Sequence, residues 1–340
     1  MSGRVAGAHA GPGAGGRELR RGERTSRLPG AHRGCFVGLG VLDLVHLVER
    51  IPGPDEKVVA RDELVAAGGP AANAAVAFAW ARGRATLVTA LGSHPLGRAA
   101  AADLRACGVR VHDRTPGRAT PPPLASILVT SATGARAVVS STDRGFAAEP
   151  PAPLEPDEVG RLLAGVDVVL ADGHHRSLAG ALLAGARERG IVTVLDAGTW
   201  RPAFESLLAL ADVVIASAAF RPPEVTSAAD PDAVLEALLA RGVVAAARTA
   251  GPDPISWRHR DGGAGGIAVP AGPVVDTLGA GDVLHGVAAF LLAGAPPPTA
   301  ARFAAVLAAA ARVAAASCGS FGTRAWLAEE IARPVRRATI

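Results

Sequence analysis

Short apolar runs alternate with helical patterns along most of this 340-residue chain, and this alternation constrains its fold more than any other feature. Strands are predicted at 166–170, 191–195, 213–216 and 243–247, with helices between them at 177–189, 203–210 and 232–240. Alternation at this spacing forms right-handed βαβ units. The sequence therefore predicts an α/β fold, in which helices cover both faces of a mostly parallel central sheet.

The first half of the chain repeats these patterns and adds a hairpin. Strands are predicted at 35–39 and 85–90, helices at 71–81 and 96–106, and paired strands at 126–130 and 136–140. The last two flank Ala132-Thr133-Gly134, a turn sequence typical of a β-hairpin. The glycine-rich segment 262–266 is interpreted as a flexible turn. No long linker interrupts the elements, so we expect one domain over residues 34–330, followed by a short tail at 331–340.

The basic residues are concentrated in the first 33 positions, which hold seven Arg and two Glu for a net charge of +5. Because the whole chain carries +4, residues 34–340 sum to −1. Residues 1–33 are rich in Gly and Arg without an apolar period, so they are interpreted as a disordered basic tail. The body has no basic stripe, and we therefore expect no nucleic-acid partner.

Three observations favour a cytoplasmic protein. The first residues contain no apolar segment of the secretory type. No uninterrupted apolar run approaches the length of a membrane span, since Arg302 and Arg312 interrupt the alanine-rich stretch near the end. The widely spaced Cys35, Cys107 and Cys318 fit reduced thiols better than disulfides or a metal site.

The motif Asp276-Thr277-Leu278-Gly279-Ala280-Gly281-Asp282 runs directly into an apolar helical segment. A helix start with glycines exposes unpaired amides and the positive end of the helix dipole, and both attract anions. A carboxylate at such a site repels phosphate, so Asp282 indicates chemistry, as a general base that takes a proton from a hydroxyl. The amides of Gly279, Ala280 and Gly281 would hold the transferring phosphoryl group. The alternative is that Asp282 only complements the helix dipole.

Other phosphate-binding motifs do not fit. A P-loop requires a lysine after its glycines, but the single lysine of this chain, Lys57, follows Glu56. Asp43 occupies the third glycine position of a dinucleotide fingerprint that would begin at Gly38, and no regular helix pattern follows. Polar residues instead follow several predicted strands, where ligands of open α/β sheets bind. They are Asp43, Asp172 to His175, Asp196, and Thr249 to Gly251.

The motif at 276–282 resembles the C-terminal signature of the ribokinase-like (PfkB) carbohydrate kinases. Gly68-Gly69-Pro70-Ala71-Ala72-Asn73-Ala74-Ala75 resembles the N-terminal signature of the same family. The two occur in the family's order about two hundred residues apart, and the resemblance covers residues 34 to about 327. It implies a ribokinase-like three-layer sandwich with a small β lid, formed within about 45–65 and 109–141.

The resemblance also implies a reaction and its participants. ATP would donate its γ-phosphoryl group to a hydroxyl of a sugar or sugar-like small molecule, with Mg²⁺ bridging the nucleotide phosphates and K⁺ as an additional cation. A homodimer is compatible with this. Acceptor-binding positions would be Asp43, Gly68, Gly69 and Asn73. Nucleotide-side or cation-side positions would be Thr249, Gly251, Asp276 and Thr277.

The chain departs from the family at the position of an expected metal-organising motif. Family members often carry N-x-x-E after the strand at 213–216, whereas this chain has Ser217-Ala218-Ala219-Phe220. Glu224 follows shortly and is a candidate substitute as a metal ligand. Two alternatives therefore stay open. One is a nucleoside or vitamin-precursor kinase of the same superfamily, and the other is a non-catalytic protein that senses a sugar or nucleotide on this scaffold.

Overall fold

The computed structural model describes residues 32–142, 150–226, 230–329 and 331. The predicted basic tail and the predicted C-terminal tail therefore lie outside the described residues, apart from His32, Arg33 and Ile331. Arg33 already forms part of the first strand, so the ordered domain starts slightly before the predicted boundary.

The described residues form thirteen strands in two sheets. In chain order they are β1 Arg33–Val37, β2 Val41–Val48, β3 Asp62–Gly68, β4 Arg84–Thr89, β5 Val109–Asp113, β6 Leu124–Thr130, β7 Arg136–Ser140, β8 Val168–Ala171, β9 Val192–Ala197, β10 Val213–Ala216, β11 Ala245–Ala250, β12 Asp253–His259 and β13 Ala264–Ile267. The large sheet has the order β13-β12-β11-β10-β9-β8-β1-β4-β5. It is parallel from β5 to β11, and β12 and β13 add antiparallel.

Helices cover both faces of the large sheet. They are α1 Pro70–Trp80, α2 Pro95–Ala106, α3 Pro156–Leu163, α4 Arg176–Glu188, α5 Ala203–Leu208, α6 Pro231–Ala240, α7 Ala280–Leu292, α8 Ala300–Ser317 and α9 Gly322–Ala325, followed by a 3₁₀ turn at Trp326–Ala328. One apolar core joins the sheet to α1, α2, α7 and α8. A second core joins the opposite face to α3, α4, α5 and α6. These three layers confirm the predicted α/β sandwich.

The small sheet has the order β3-β2-β6-β7 and forms the predicted lid. Its apolar contact is a separate cluster of Val45, Ala125, Ile127 and Val129. The lid begins earlier than the predicted segment at 45–65, because β2 starts at Val41 directly after β1. The first part of the other predicted segment does not belong to the lid, since Val109–Asp113 pairs with β4 in the large sheet.

Two further differences from the sequence expectations have simple causes. Ala264–Ile267 is an edge strand, so three of the five residues predicted as a turn are extended. Its glycines let the backbone approach the Trp257 side chain, since a Cβ at Gly265 would lie 3.2 Å from the indole nitrogen.

Helix α8 is long and apolar enough for a membrane span by length and composition alone. It packs against α7, however, and core helices of soluble proteins pass the same test.

Candidate functional site

Asp282 lies in the first turn of α7, directly after the glycine-rich motif. Gly279 precedes this helix with φ 76°, a left-handed conformation that glycine adopts at little cost. None of the described side chains caps this helix start. The Ala280 amide donates to the Thr277 carbonyl over a long 3.4 Å. The amides of this turn are therefore weakly used within the chain and are available to an anion.

Asn73 connects the two signature motifs. It lies in the first turn of α1, and its Nδ2 donates to Asp282 Oδ2 at 2.8 Å, across 209 residues of sequence. This is the one hydrogen bond to the Asp282 carboxylate among the described residues. The second carboxylate oxygen therefore has no partner within that part of the chain.

Arg324 fixes the orientation of Asn73. Its Nη1 donates to Asn73 Oδ1 at 3.2 Å, and its Nη2 and Nε donate to Asp103 Oδ2 at 2.9 and 3.1 Å. Nη2 also donates to the Ala67 carbonyl at 2.7 Å. Because a guanidinium only donates, the amide oxygen of Asn73 must face it, which directs the amide nitrogen toward Asp282.

A buried His–Asp pair lies beside Asp282. The His285 ring lies between two carbonyls, with Nδ1 2.7 Å from Gly281 O and Nε2 3.0 Å from Ile215 O. Nε2 is also 3.4 Å from Asp196 Oδ1. Carbonyl oxygens only accept, so both ring contacts are hydrogen bonds when both nitrogens carry hydrogen. The ring is therefore held between α7, β10 and the Asp196 carboxylate.

These neighbours make Asp282 more basic than an ordinary carboxylate. Burial raises the pKa of Asp282 most, and the negative charge of Asp196 raises it further. The hydrogen bond from Asn73 and the charge of His285 act in the opposite direction. A carboxylate with a raised pKa is a better proton acceptor near neutral pH. The pKa of Asp196 is itself raised by burial, against the opposing charge of His285.

Asp43 was predicted to follow the first strand, but it lies inside lid strand β2, opposite Ala66 and Ala125. Burial raises its pKa to about 6, although the charge of Arg324 opposes this. Only glycine fits beside it, because a Cβ at Gly68 would lie 1.9 Å from Asp43 Oδ2. Among the described residues no hydrogen bond reaches the Asp43 carboxylate. A buried acceptor without a donor is the expected condition of a ligand-binding group.

Asp172 holds the start of α1 against β1 and β8. Its Oδ2 accepts from the amides of Leu39 and Ala71 at 2.9 and 3.0 Å. Its Oδ1 accepts from the amide of His174 at 2.9 Å and lies 3.0 Å from that residue's Nδ1. Burial would raise the pKa of Asp172, but the charge of His174 and these hydrogen bonds lower it to about 2. This carboxylate is therefore a charged anchor, with both oxygens occupied.

Asp276 and Thr277 lie in the loop before α7. The Asp276 carboxylate is 2% exposed and accepts from the amides of Leu278 and Gly322 at 2.8 and 2.9 Å. Thr277 faces the lid, where its hydroxyl accepts from Arg136 Nη1 at 2.7 Å. The lid hairpin therefore touches the loop that precedes the predicted anion-binding amides.

The residues predicted for the nucleotide side make fewer contacts with one another than those around Asp282. The Thr249 hydroxyl donates to Ala216 O at 3.3 Å, and Gly251 lies in the turn after β11. Phe220, which stands where the family often has glutamate, is buried in the second core. Glu224 forms an ion pair with Arg241 and is 47% exposed. No described contact joins Glu224 to Asp282.

The structure thus brings Asp43, Gly68, Asn73 and Asp282 to one region, together with the loop at 276–281. Sequence reasoning missed three residues there: Arg324, Asp103 and His285. No motif marks Arg324 or Asp103, since their function depends on contacts between distant segments. His285 had a weak signal, because a histidine three residues after Asp282 lies on nearly the same side of an α-helix.

The profile of the pfkB family carbohydrate kinases matches residues 32–324. The chain therefore belongs to this family, and it is a carbohydrate kinase, a phosphotransferase with an alcohol acceptor.

Solved structures agree with this assignment. A candidate ribokinase from Agrobacterium tumefaciens is 28% identical with a TM-score of 0.74, over 87% of this chain and 94% of that one. A ribokinase from Arabidopsis thaliana, solved with ribose and ATP, is 20% identical with a TM-score of 0.66, over 88% and 99%. Phosphofructokinase-2 from Escherichia coli, solved with potassium, is 18% identical with a TM-score of 0.63, over 86% and 94%. The last two similarities concern the fold alone.

Proposed function

We propose that this kinase transfers the γ-phosphoryl group of ATP to a hydroxyl of a sugar or sugar-like molecule, with Asp282 as the general base. The observation that carries the proposal is the 2.8 Å hydrogen bond from Asn73 to Asp282, which joins the two signature motifs at one point. Asn73 engages one carboxylate oxygen and leaves the other for the acceptor hydroxyl. The raised pKa of Asp282 supports this role.

The proposed phosphoryl transfer makes one bond and breaks one bond at the γ-phosphorus. The acceptor hydroxyl gives its proton to Asp282 while its oxygen bonds to the γ-phosphorus. The bond between that phosphorus and the β–γ bridging oxygen breaks, and ADP leaves with the electron pair. The amides of Gly279, Ala280 and Gly281 stabilise the charge of the transferring group. Asp43, Gly68, Gly69 and Asn73 would hold acceptor hydroxyls, and Thr249 and Gly251 would contact the nucleotide.

The proposed reaction also uses two cations, Mg²⁺ and K⁺. The described residues contain no cluster of three or more His, Cys, Asp or Glu that could hold a metal. Mg²⁺ would then be held mainly by ATP phosphates and water, as this ion commonly is. For K⁺, Asp276 is the fitting group, because it is buried and no described cationic side chain pairs with it. A buried carboxylate of this kind favours a bound cation.

The nucleoside or vitamin-precursor alternative shares this chemistry and differs only in the acceptor. The sensing alternative predicts binding without turnover. An ADP-release assay over sugars and nucleosides, with Mg²⁺ omitted in one arm and K⁺ replaced by Na⁺ in another, separates these possibilities.

The Asp282→Asn variant tests the base. Without a carboxylate the hydroxyl must lose its proton to water, so we expect kcat to fall by about a hundred-fold to ten-thousand-fold. ATP binding, measured by calorimetry, should change little. Turnover close to that of the wild type would refute the role of Asp282.

A further inference from the structure

Arg324 lies in the short helix α9, outside both signature motifs, and its side chain is 12% exposed. A guanidinium has five N–H groups, and each of them can be matched with an acceptor here. The acceptors are the Asp103 carboxylate, the Ala67 carbonyl, the Asn73 amide oxygen, and the carbonyl and hydroxyl of Thr323. Arg324 therefore has no free donor for a substrate, and any effect on the reaction must pass through these neighbours.

The Arg324–Asp103 ion pair holds the base of the lid. Strand β3 is an edge of the lid sheet, so one row of its backbone groups has no partner strand. At Ala67 both backbone groups are bonded, because the amide donates to Asp103 Oδ2 at 3.0 Å and the carbonyl accepts from Arg324. The preceding residue, Ala66, lies opposite Asp43 in β2. The ion pair therefore fixes the lid strand beside the Asp43 carboxylate.

Contacts that do not involve the guanidinium fix the position of α9. The Gly322 amide donates to the Asp276 carboxylate at 2.9 Å. The buried Trp326 ring, directly after α9, packs against Trp80 of α1 with the ring centroids 5.2 Å apart. A substitution at Arg324 can therefore remove its hydrogen bonds and leave the helix in place.

Asn73 is the only residue with a carboxamide side chain in the sequence, which contains no Gln. A carboxamide accepts on its oxygen and donates on its nitrogen, so it can connect a cation to an anion. Here the oxygen accepts from Arg324 at 3.2 Å, and the nitrogen donates to Asp282 at 2.8 Å. An amide turned by half a rotation would place its oxygen against the Asp282 carboxylate, where two acceptors repel. Arg324 disfavours that turned state, because it only donates.

We propose that Arg324 is a positioning residue: it joins the base of the lid to Asn73, so that one guanidinium aligns the acceptor side of the site with Asp282. This inference rests on the proposed kinase function. Since Arg324 contacts the lid and Asn73 but neither Thr249 nor Gly251, its effect should appear in the acceptor KM and in kcat, and not in ATP binding. Lysine should not replace it, because an ammonium is a point charge without a planar fork of donors.

Two substitutions separate position from charge. Arg324→Met removes the charge and the hydrogen bonds, whereas Arg324→Lys keeps the charge. Steady-state kinetics uses ribose or fructose as the acceptor, whichever gives the faster ADP release. We expect each variant to raise the acceptor KM and to lower kcat by about tenfold, since a hydrogen bond to a charged group contributes about that factor, with the KM for ATP unchanged. Wild-type constants in Arg324→Lys, or an equal rise in both KM values, would overturn the inference.

Arg114 provides the matched control. Its side chain is 14% exposed, and it pairs with the Glu158 carboxylate and donates to the carbonyls of Ala152 and Pro153. It therefore resembles Arg324 in burial and in the kind of partner, but it joins the end of β5 to the segment before α3. Arg114→Met and Arg114→Lys should leave kcat and the acceptor KM unchanged. Losses as large as those of the Arg324 variants would show a general effect on the fold and would contradict the positioning role.

A second measurement does not depend on turnover. In a protein without Asn or Gln in any added tag, the side-chain NH₂ region of a proton–nitrogen correlation NMR spectrum contains one pair of resonances, from Asn73. These hydrogens lie next to Asp282, so the pair should shift with pH as that carboxyl titrates. The hydrogen bond from Asn73 lowers the pKa of Asp282, so its loss should let this pKa rise. In both Arg324 variants we therefore expect the response of the pair to weaken and to move to higher pH.

The other charged groups that influence Asp282 are retained in these variants, namely Asp196 in β9, His285 in α7 and Asp172 after β8. A shifted pH response therefore reports the loss of the Asn73 hydrogen bond. The acidic limb of the kcat/KM profile should move to higher pH for the same reason. An unchanged pH response in both Arg324 variants would refute the positioning role. If the wild type released no ADP with any sugar or nucleoside while the Asn73 resonances still responded to substitution of Arg324, the proposed reaction would fail and the positioning of Asn73 would stand.

Discussion

The proposed acceptor side and the proposed nucleotide side of this kinase differ in how their polar groups are used. Around Asp282, buried polar side chains from α1, α7, β9 and the segment after α8 contact one another directly. Around the loop after β10, the corresponding position is filled by Phe220, and Glu224 is an exposed ion-pair partner of Arg241.

The difference indicates that the proposed reaction depends mainly on fixed side chains around Asp282. A buried polar network destabilises the protein when some of its hydrogen bonds are missing, so its residues must be present together. Coordination through phosphates and water needs fewer fixed side chains, and the nucleotide side can lose them without leaving a buried charge unpaired. The proposed acceptor side should therefore be the more sensitive of the two to substitution.

After Asp282→Asn, the largest effect is expected for Asn73→Ala, with Asp43→Ala as the comparison. Asn73 contacts Asp282 and Arg324, whereas Asp43 has no hydrogen bond in the described part of the chain. We therefore expect both variants to raise the acceptor KM about tenfold or more, and only Asn73→Ala to lower kcat as well. Steady-state kinetics with each substrate varied in turn provides the measurement. An equal rise in the KM for ATP would indicate general damage to the fold.

A second prediction concerns stability at Asp43. Its pKa is raised from 3.8 to about 6 in the folded protein, so the group favours folding below pH 3.8 and loses that contribution as the pH rises through about 6. At pH 8 we expect Asp43→Asn to increase the free energy of unfolding by on the order of 1–3 kcal/mol, with the acceptor KM raised. Denaturant unfolding at pH 8 and pH 5 measures this. A gain that is as large at pH 5 as at pH 8 would contradict the electrostatic cause.

A third prediction uses the two charges beside Asp282. Asp196 raises the pKa of Asp282 and His285 lowers it. Asp196→Asn should therefore move the acidic limb of the kcat/KM profile to lower pH, and His285→Asn should move it to higher pH. Shifts in the same direction would show that repacking, not charge, controls the base. Thermal unfolding of both variants is the control for folding.

The sequence was sufficient for the fold because the alternation of elements and the two signatures are local patterns. The predicted strand at 213–216 coincides with β10, and the predicted hairpin is β6 and β7. The network around Asn73 could not be predicted in the same way. Arg324 reaches Asn73 across 251 residues, and nothing local distinguishes it from the other arginines of this chain. The prediction that Asp43 follows the first strand missed that β2 begins at Val41, only a short turn after β1 ends at Val37.

The smallest effect is expected at Glu224, which tests the nucleotide side of the comparison. Its hydrogen bond to Arg241 lowers the pKa of Glu224, but the pair is partly exposed, and exposed ion pairs contribute about 0–1 kcal/mol. We therefore expect Glu224→Gln to reduce the free energy of unfolding by less than about 1 kcal/mol. The Mg²⁺ concentration for half-maximal rate should stay within about twofold, because the carboxylate is already occupied by a guanidinium. Arg241→Gln is the matched control, since it removes the guanidinium that pairs with Glu224 and leaves the negative charge of Glu224 in place. If Glu224→Gln raised the Mg²⁺ requirement severalfold and Arg241→Gln lowered it, Glu224 would be a metal ligand after all, and the nucleotide side would be as specifically built as the acceptor side.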